Sequence, residues 1–108
     1  MERQVIYARE VEGFFDELLI ALFEKGYFGF SDTAKLYTEK LTFYIEKHIG
    51  LLPCKSAPNY FNRYGVDLRY ITYQSNKKTT WYILFQQRDN VFLIRHITNN
   101  HIAGQYFI

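Results

Sequence analysis

The chain has 108 residues, 48% hydrophobic and 19% aromatic, with a formal net charge of +2 from thirteen Lys plus Arg against eleven Asp plus Glu. That length supports one domain, residues 1–108, with a single modest core, and the apolar content excludes a disordered chain. No apolar run approaches the ~20 residues needed to span a bilayer, the opening Met1-Glu2-Arg3-Gln4 lacks a signal-peptide core, and the lone Cys54 excludes an internal disulfide and a cysteine-based zinc site. A cytoplasmic protein without membrane, metal or cofactor is therefore expected.

Gln4 to Ala8 reads Gln-Val-Ile-Tyr-Ala, a short β-prone run that predicts a first strand. From Glu10 the period changes. Phe14, Phe15, Leu18, Leu19, Leu22 and Phe23 recur at helical spacing, with Glu12, Asp16, Glu17 and Glu24 between them. The early acids suit the positive end of a helix, and Gly26 after Lys25 is a reasonable stop. Tyr27 to Phe30 is an aromatic linker. Ser31 is a good N-cap with Asp32 in the first turn. Leu36, Tyr37, Leu41, Tyr44, Ile45, His48 and Ile49 then form a second apolar stripe ending at Gly50. A short link between two such helices predicts a helical hairpin.

Residues 51–62 hold Pro53 and Pro58 without a clear period and read as a loop or irregular edge, with Tyr60 and Phe61 a candidate strand start. Val66 to Tyr73 alternates as a strand, and Gln74 to Lys78 reads as a hairpin turn. Thr79 to Phe85 is apolar on both faces and suits a central strand. Gln86 to Asn90 turns again, and Val91 to Thr98 is strongly β-prone. The order β-α-α-β-β-β predicts an α+β, two-layer fold: an antiparallel sheet with the helical hairpin packed on one face. Leu18, Leu22, Leu41 and Ile45 are expected to bury against Leu84 and Leu93. The opposite face is expected to be partly exposed and concave through twist.

Charge is unevenly placed. Nine acids precede residue 50; after it only Asp67 and Asp89 are acidic, against Lys55, Arg63, Arg69, Lys77, Lys78, Arg88 and Arg95. A basic sheet suits a polyanion partner, or is simply a solvated face. There is no Gly-rich phosphate loop, no Gly-x-Ser-x-Gly and no His-Glu-x-x-His. His96 and His101, five apart, fall on opposite faces of a regular strand and cannot share a metal. His48 on the helix stripe and mid-strand Trp81 read as structural, and Arg88 as a turn charge. The cluster with chemical potential is Lys55, Arg63, Arg69, Arg95, His101 and Tyr106. Cleaving RNA through its 2′-hydroxyl needs a base, cations on the phosphorane and an acid for the leaving oxygen. His can be either proton carrier, Arg grips phosphate, and Tyr stacks on a base. Any basic sheet offers similar groups, and Arg69 and Arg95 could equally pair with Asp67 and the helix carboxylates.

The element order resembles the RelE/ParE toxin superfamily of type II toxin–antitoxin and plasmid-stabilisation modules. Gly65-Val66-Asp67-Leu68-Arg69-Tyr70 resembles the family strand in which an arginine follows a glycine and apolar residues. Trp81 to Phe85, the turn ending Asp89-Asn90, and Val91 to Ile97 resemble its closing hairpin, and Asn99-Asn100-His101 stands where the family places a polar or basic patch. The resemblance implies a growth-inhibiting toxin held by a cognate antitoxin, and in the RelE branch a metal-independent endoribonuclease that cuts mRNA on the ribosome. Catalytic roles then fall on Arg69, His101 and Tyr106, and substrate binding on Lys55, Arg63 and Arg95. His101 stands in place of the branch's second arginine, and only Lys55 represents its lysine-rich segment. The ParE branch binds DNA gyrase without nuclease residues; a non-enzymatic toxin of that kind, or an inactive binding module, is the alternative. A homo-oligomer is a further possibility. An antitoxin would favour an aromatic patch, from Tyr27, Phe28 and Phe30 or from Tyr106 and Phe107. Convergence of Arg69, His101 and Tyr106 on one surface would favour cleavage; scatter would favour binding.

Overall fold

A computed structural model describes residues 2–24 and 31–107, parts of the two long helices as backbone only. The order is β1 (Gln4–Tyr7), α1 (Arg9–Glu24), α2 (Ser31–His48), β2 (Lys55–Ser56), a 3-10 turn at Asn59–Tyr64, β3 (Arg69–Asn76), β4 (Thr79–Arg88), β5 (Val91–Asn99), α3 (Asn100–Ala103) and a second 3-10 turn at Gly104–Phe107. The fold is α+β, with five strands in the order β1-β5-β4-β3-β2. β2, β3, β4 and β5 pair antiparallel, but β1 lies parallel to β5, with Gln4 opposite Val91 and Tyr7 opposite Ile94. The sheet is thus mixed rather than antiparallel. Side-chain alternation marks a strand's faces and carries no information on its direction.

The helical layer sits on one face. Leu41, Ile45 and Ile49 are fully buried, in one cluster with Val11, Ile71, Trp81, Ile83, Phe85, Ile94 and Ile97. The stripe of α2 therefore docks as expected for Leu41 and Ile45; the side chains of Leu18 and Leu22 lie outside the described residues. The sheet partners differ from those expected. Leu84 points to the opposite face, and Leu93 is only half-buried. Because β4 is apolar on both sides, its sequence does not say which alternate set meets the helices. Gly50 closes α2 with φ +82°, and a Cβ there would lie 2.5 Å from the Phe92 ring.

The other face of the sheet is partly covered as well. The turn Asn59–Tyr64 and the C-terminal segment fold over it, with Phe61, Leu68, Leu84 and Ala103 buried beneath Tyr64, Tyr70, Tyr82, Tyr106 and Phe107. Ring pairs close it: Tyr82 stacks on Phe107 at 3.8 Å and Tyr60 on Tyr106 at 3.6 Å. Tyr60 and Phe61, candidates for a strand start, belong to the turn. Pro58 leads into it and has no N–H for a ladder.

β5 carries a bulge. Leu84 faces His96 and Phe85 faces Ile94, so Arg95 has no partner on β4. The extra residue restores the apolar alternation on the helix side. It also turns Arg95 and His96 toward the same, aromatic face: Arg95 Nε donates to the Tyr64 carbonyl at 2.8 Å, and His96 stacks on Tyr64 at 3.9 Å.

Candidate functional site

The six candidate residues divide into three places. Lys55, opposite Tyr70 on β2, is exposed at the edge of the aromatic face. Arg63, Arg95 and Tyr106 surround the turn Asn59–Tyr64 on the aromatic face. There the Arg63 guanidinium sits 4.5 Å above the Tyr60 ring, which in turn stacks on Tyr106. A hydrogen bond with Tyr106, followed by burial, holds the Tyr60 hydroxyl above its usual value.

Arg69 belongs to the other face. It shares the alternation of Ile71 and Tyr73, which pack toward the helices, and its Nη1 lies 3.8 Å from Cys54 Sγ. It borders a polar cleft of about 680 Å³ with Ser56, Asn59, Asn62 and Asp67.

His101 occupies a third place. Asn99, fully buried, caps α3 by accepting from the backbone N–H groups of His101 and Ile102 at 3.0 and 3.2 Å. Asn100 accepts from the Thr80 N–H at 2.8 Å and donates to the Lys78 carbonyl at 2.9 Å. His101 Nε2 lies 2.9 Å from Thr79 Oγ1. Asn99-Asn100-His101 is thus a polar clamp fastening the C-terminal segment to the β3–β4 hairpin. His101 meets β4 at Thr79, whereas Arg69 meets it at Phe85. Six strand positions separate these anchors, roughly 20 Å. The structure brings together Arg63, Arg95 and Tyr106; it does not bring Arg69 or His101 to them or to each other.

His96, weighed in the sequence only as a metal ligand, and Tyr64 stand outside the candidate cluster. Regular alternation places Arg95 and His96 on opposite faces, and a bulge leaves no mark in composition. Burial lowers the His96 pKa from 6.5 to about 4. A group so far below neutrality is a poor proton carrier and a good neutral stacking partner. It has a consequence for stability. Between pH 6.5 and about 4 the unfolded chain takes a proton on His96 that the folded chain refuses. Stability should fall as the pH drops through that window, by ~2–3 kcal/mol after allowing for partial exposure. His96→Phe, which keeps a ring against Tyr64, should flatten the fall in urea titrations between pH 7 and 4.5. Equal slopes in both proteins would assign the acid sensitivity to another group.

Among the described residues no group of three His, Cys, Asp or Glu is placed to hold a metal, and no helix is long and apolar enough to cross a membrane. No family model, curated protein or solved structure matches the chain. Of the aromatic candidates for partner contact, Tyr106 and Phe107 are half-buried in the ring stacks. Tyr27, Phe28 and Phe30 lie outside the described residues.

Proposed function

We propose that the chain is the toxin of a type II toxin–antitoxin module of the RelE/ParE kind, and that it acts by binding a protein target, DNA gyrase or another, rather than by cutting mRNA. A cognate antitoxin holds it in check. With the two-residue β2 set aside, the strands and long helices follow the β-α-α-β-β-β order that carries the resemblance. The observation favouring the binding branch is the separation of Arg69 from His101. A general acid must come within ~3 Å of its leaving oxygen while the arginine grips the same phosphate. Anchors roughly 20 Å apart do not serve one phosphate, and His101 is already engaged with Thr79.

The test is induced expression with growth as the readout and primer extension to map mRNA ends. The parent should arrest growth without discrete cuts. Arg69→Ala and His101→Ala should still arrest it, provided circular dichroism shows each variant folded. Discrete cuts that disappear, with a ~10²–10³-fold loss of rate, in a folded Arg69→Ala variant would establish the nuclease branch instead. Absence of arrest by the folded parent would remove the toxin reading.

A further inference from the structure

β2 pairs with β3 at two positions only, Lys55 with Tyr70 and Ser56 with Arg69. β3 runs on to Asn76, and among the described residues no strand lies beside that stretch. The direction of its backbone groups follows from the pairing. The Leu68 carbonyl accepts from Ala57 N–H at 2.9 Å, and Tyr70 faces β2. Even-numbered residues therefore turn N–H and C=O away from β4, and Thr72 and Gln74 continue the series. The Thr72 carbonyl is met by the Tyr44 hydroxyl at 2.8 Å, a contact at the rim of the edge.

Beside this edge α2 and β3 enclose a groove of about 370 Å³ lined by Lys40, Phe43, Tyr44, Lys47, His48 and Tyr73, with Glu39 the one carboxylate among the described lining residues. Tyr44 and Tyr73 stack at 4.4 Å in it, and Phe43 is 66% exposed with Lys47 Nζ 5.7 Å above its ring. Lys77 and Lys78 follow at the hairpin turn. An apolar side chain thus stands in a basic rim next to outward backbone groups.

We propose that this edge accepts an extended acidic segment of a partner protein, which adds as a strand along Thr72–Gln74 and lays one apolar side chain over Phe43. Main-chain hydrogen bonds supply the docking, and the groove supplies the side-chain choice. The lysines select the charge. They disfavour a second copy of this chain, whose edge would bring the same basic rim. The inference does not depend on the toxin reading.

The experiment pans a randomised twelve-residue phage library on the intact chain, with counter-selection on Thr72→Pro. Proline there removes an outward N–H that the sheet does not use, so the variant should fold. Enriched peptides should be net acidic with an alternating pattern. A synthetic copy of the most enriched peptide should bind Lys40→Glu/Lys47→Glu about ten-fold or more weakly, and should slow hydrogen exchange at the Thr72 and Gln74 amides. The double charge variant and the exchange readout keep the test decisive if the proline variant does not fold. Enrichment of neutral or basic peptides, unchanged amide exchange, or binding that survives charge reversal would overturn the proposal. So would a concentration-dependent dimer that Lys40→Glu/Lys47→Glu leaves intact, since a second copy would then own the edge.

Discussion

Phe61→Ala is expected to lower the free energy of unfolding by ~3–5 kcal/mol. Phe61 is 1% exposed, beneath Tyr60, Tyr64, His96, Tyr106 and Phe107. Its removal leaves a void that these rings cannot easily fill, because each is held face to face with another: Tyr60 with Tyr106, Tyr64 with His96 and Phe107 with Tyr82. Urea unfolding followed by fluorescence gives the loss directly. A change under about 1 kcal/mol would mean that the turn and the C-terminal segment collapse into the gap or contribute little. A lower m-value with a small change in midpoint would indicate that this layer is already open in the variant's native state.

Leu41→Ala should destabilise the chain by ~2–5 kcal/mol through lost burial and the cavity left behind. Leu41 is fully buried at the centre of the helical stripe, in the cluster that contains Trp81, Ile83 and Phe85. It lies on the opposite side of the sheet from Phe61. The two losses should therefore nearly add in the double variant. A marked shortfall would show that the layers communicate through β4, whose Ile83, Leu84 and Phe85 are buried on alternate faces.

The helices were legible from their helical period, and the three long strands from alternation at 66–73 and from β-prone composition at 79–85 and 91–98. Leu41, Tyr44, Ile45 and Ile49 mark one face of α2, and Gly50 marks its end. What escaped depended on contacts between distant segments. The strand starting at Arg69 was placed three residues early, at Val66, because Gly65 to Leu68 alternates like a strand. There Gly65 has φ +154° and Asp67 φ +53°, which break the extended run. Asn59 to Tyr64 has no period because its rings pack against a tail more than forty residues away. The candidate site was read as one cluster from residue types alone. Its division into three places follows from the bulge at Arg95, the alternation that sends Arg69 toward the helices, and the clamp that engages His101. None of these leaves a trace in composition.

The parallel pairing of β1 with β5 joins the first strand to the last. During synthesis β1 emerges well before its partner, since Gln4 pairs with Val91. At ~5–20 residues per second that interval lasts on the order of several seconds, far longer than the microseconds in which helices form. The residues of both long helices are therefore made while the sheet they cover does not yet exist. The growing chain thus carries an uncovered apolar layer until β5 emerges.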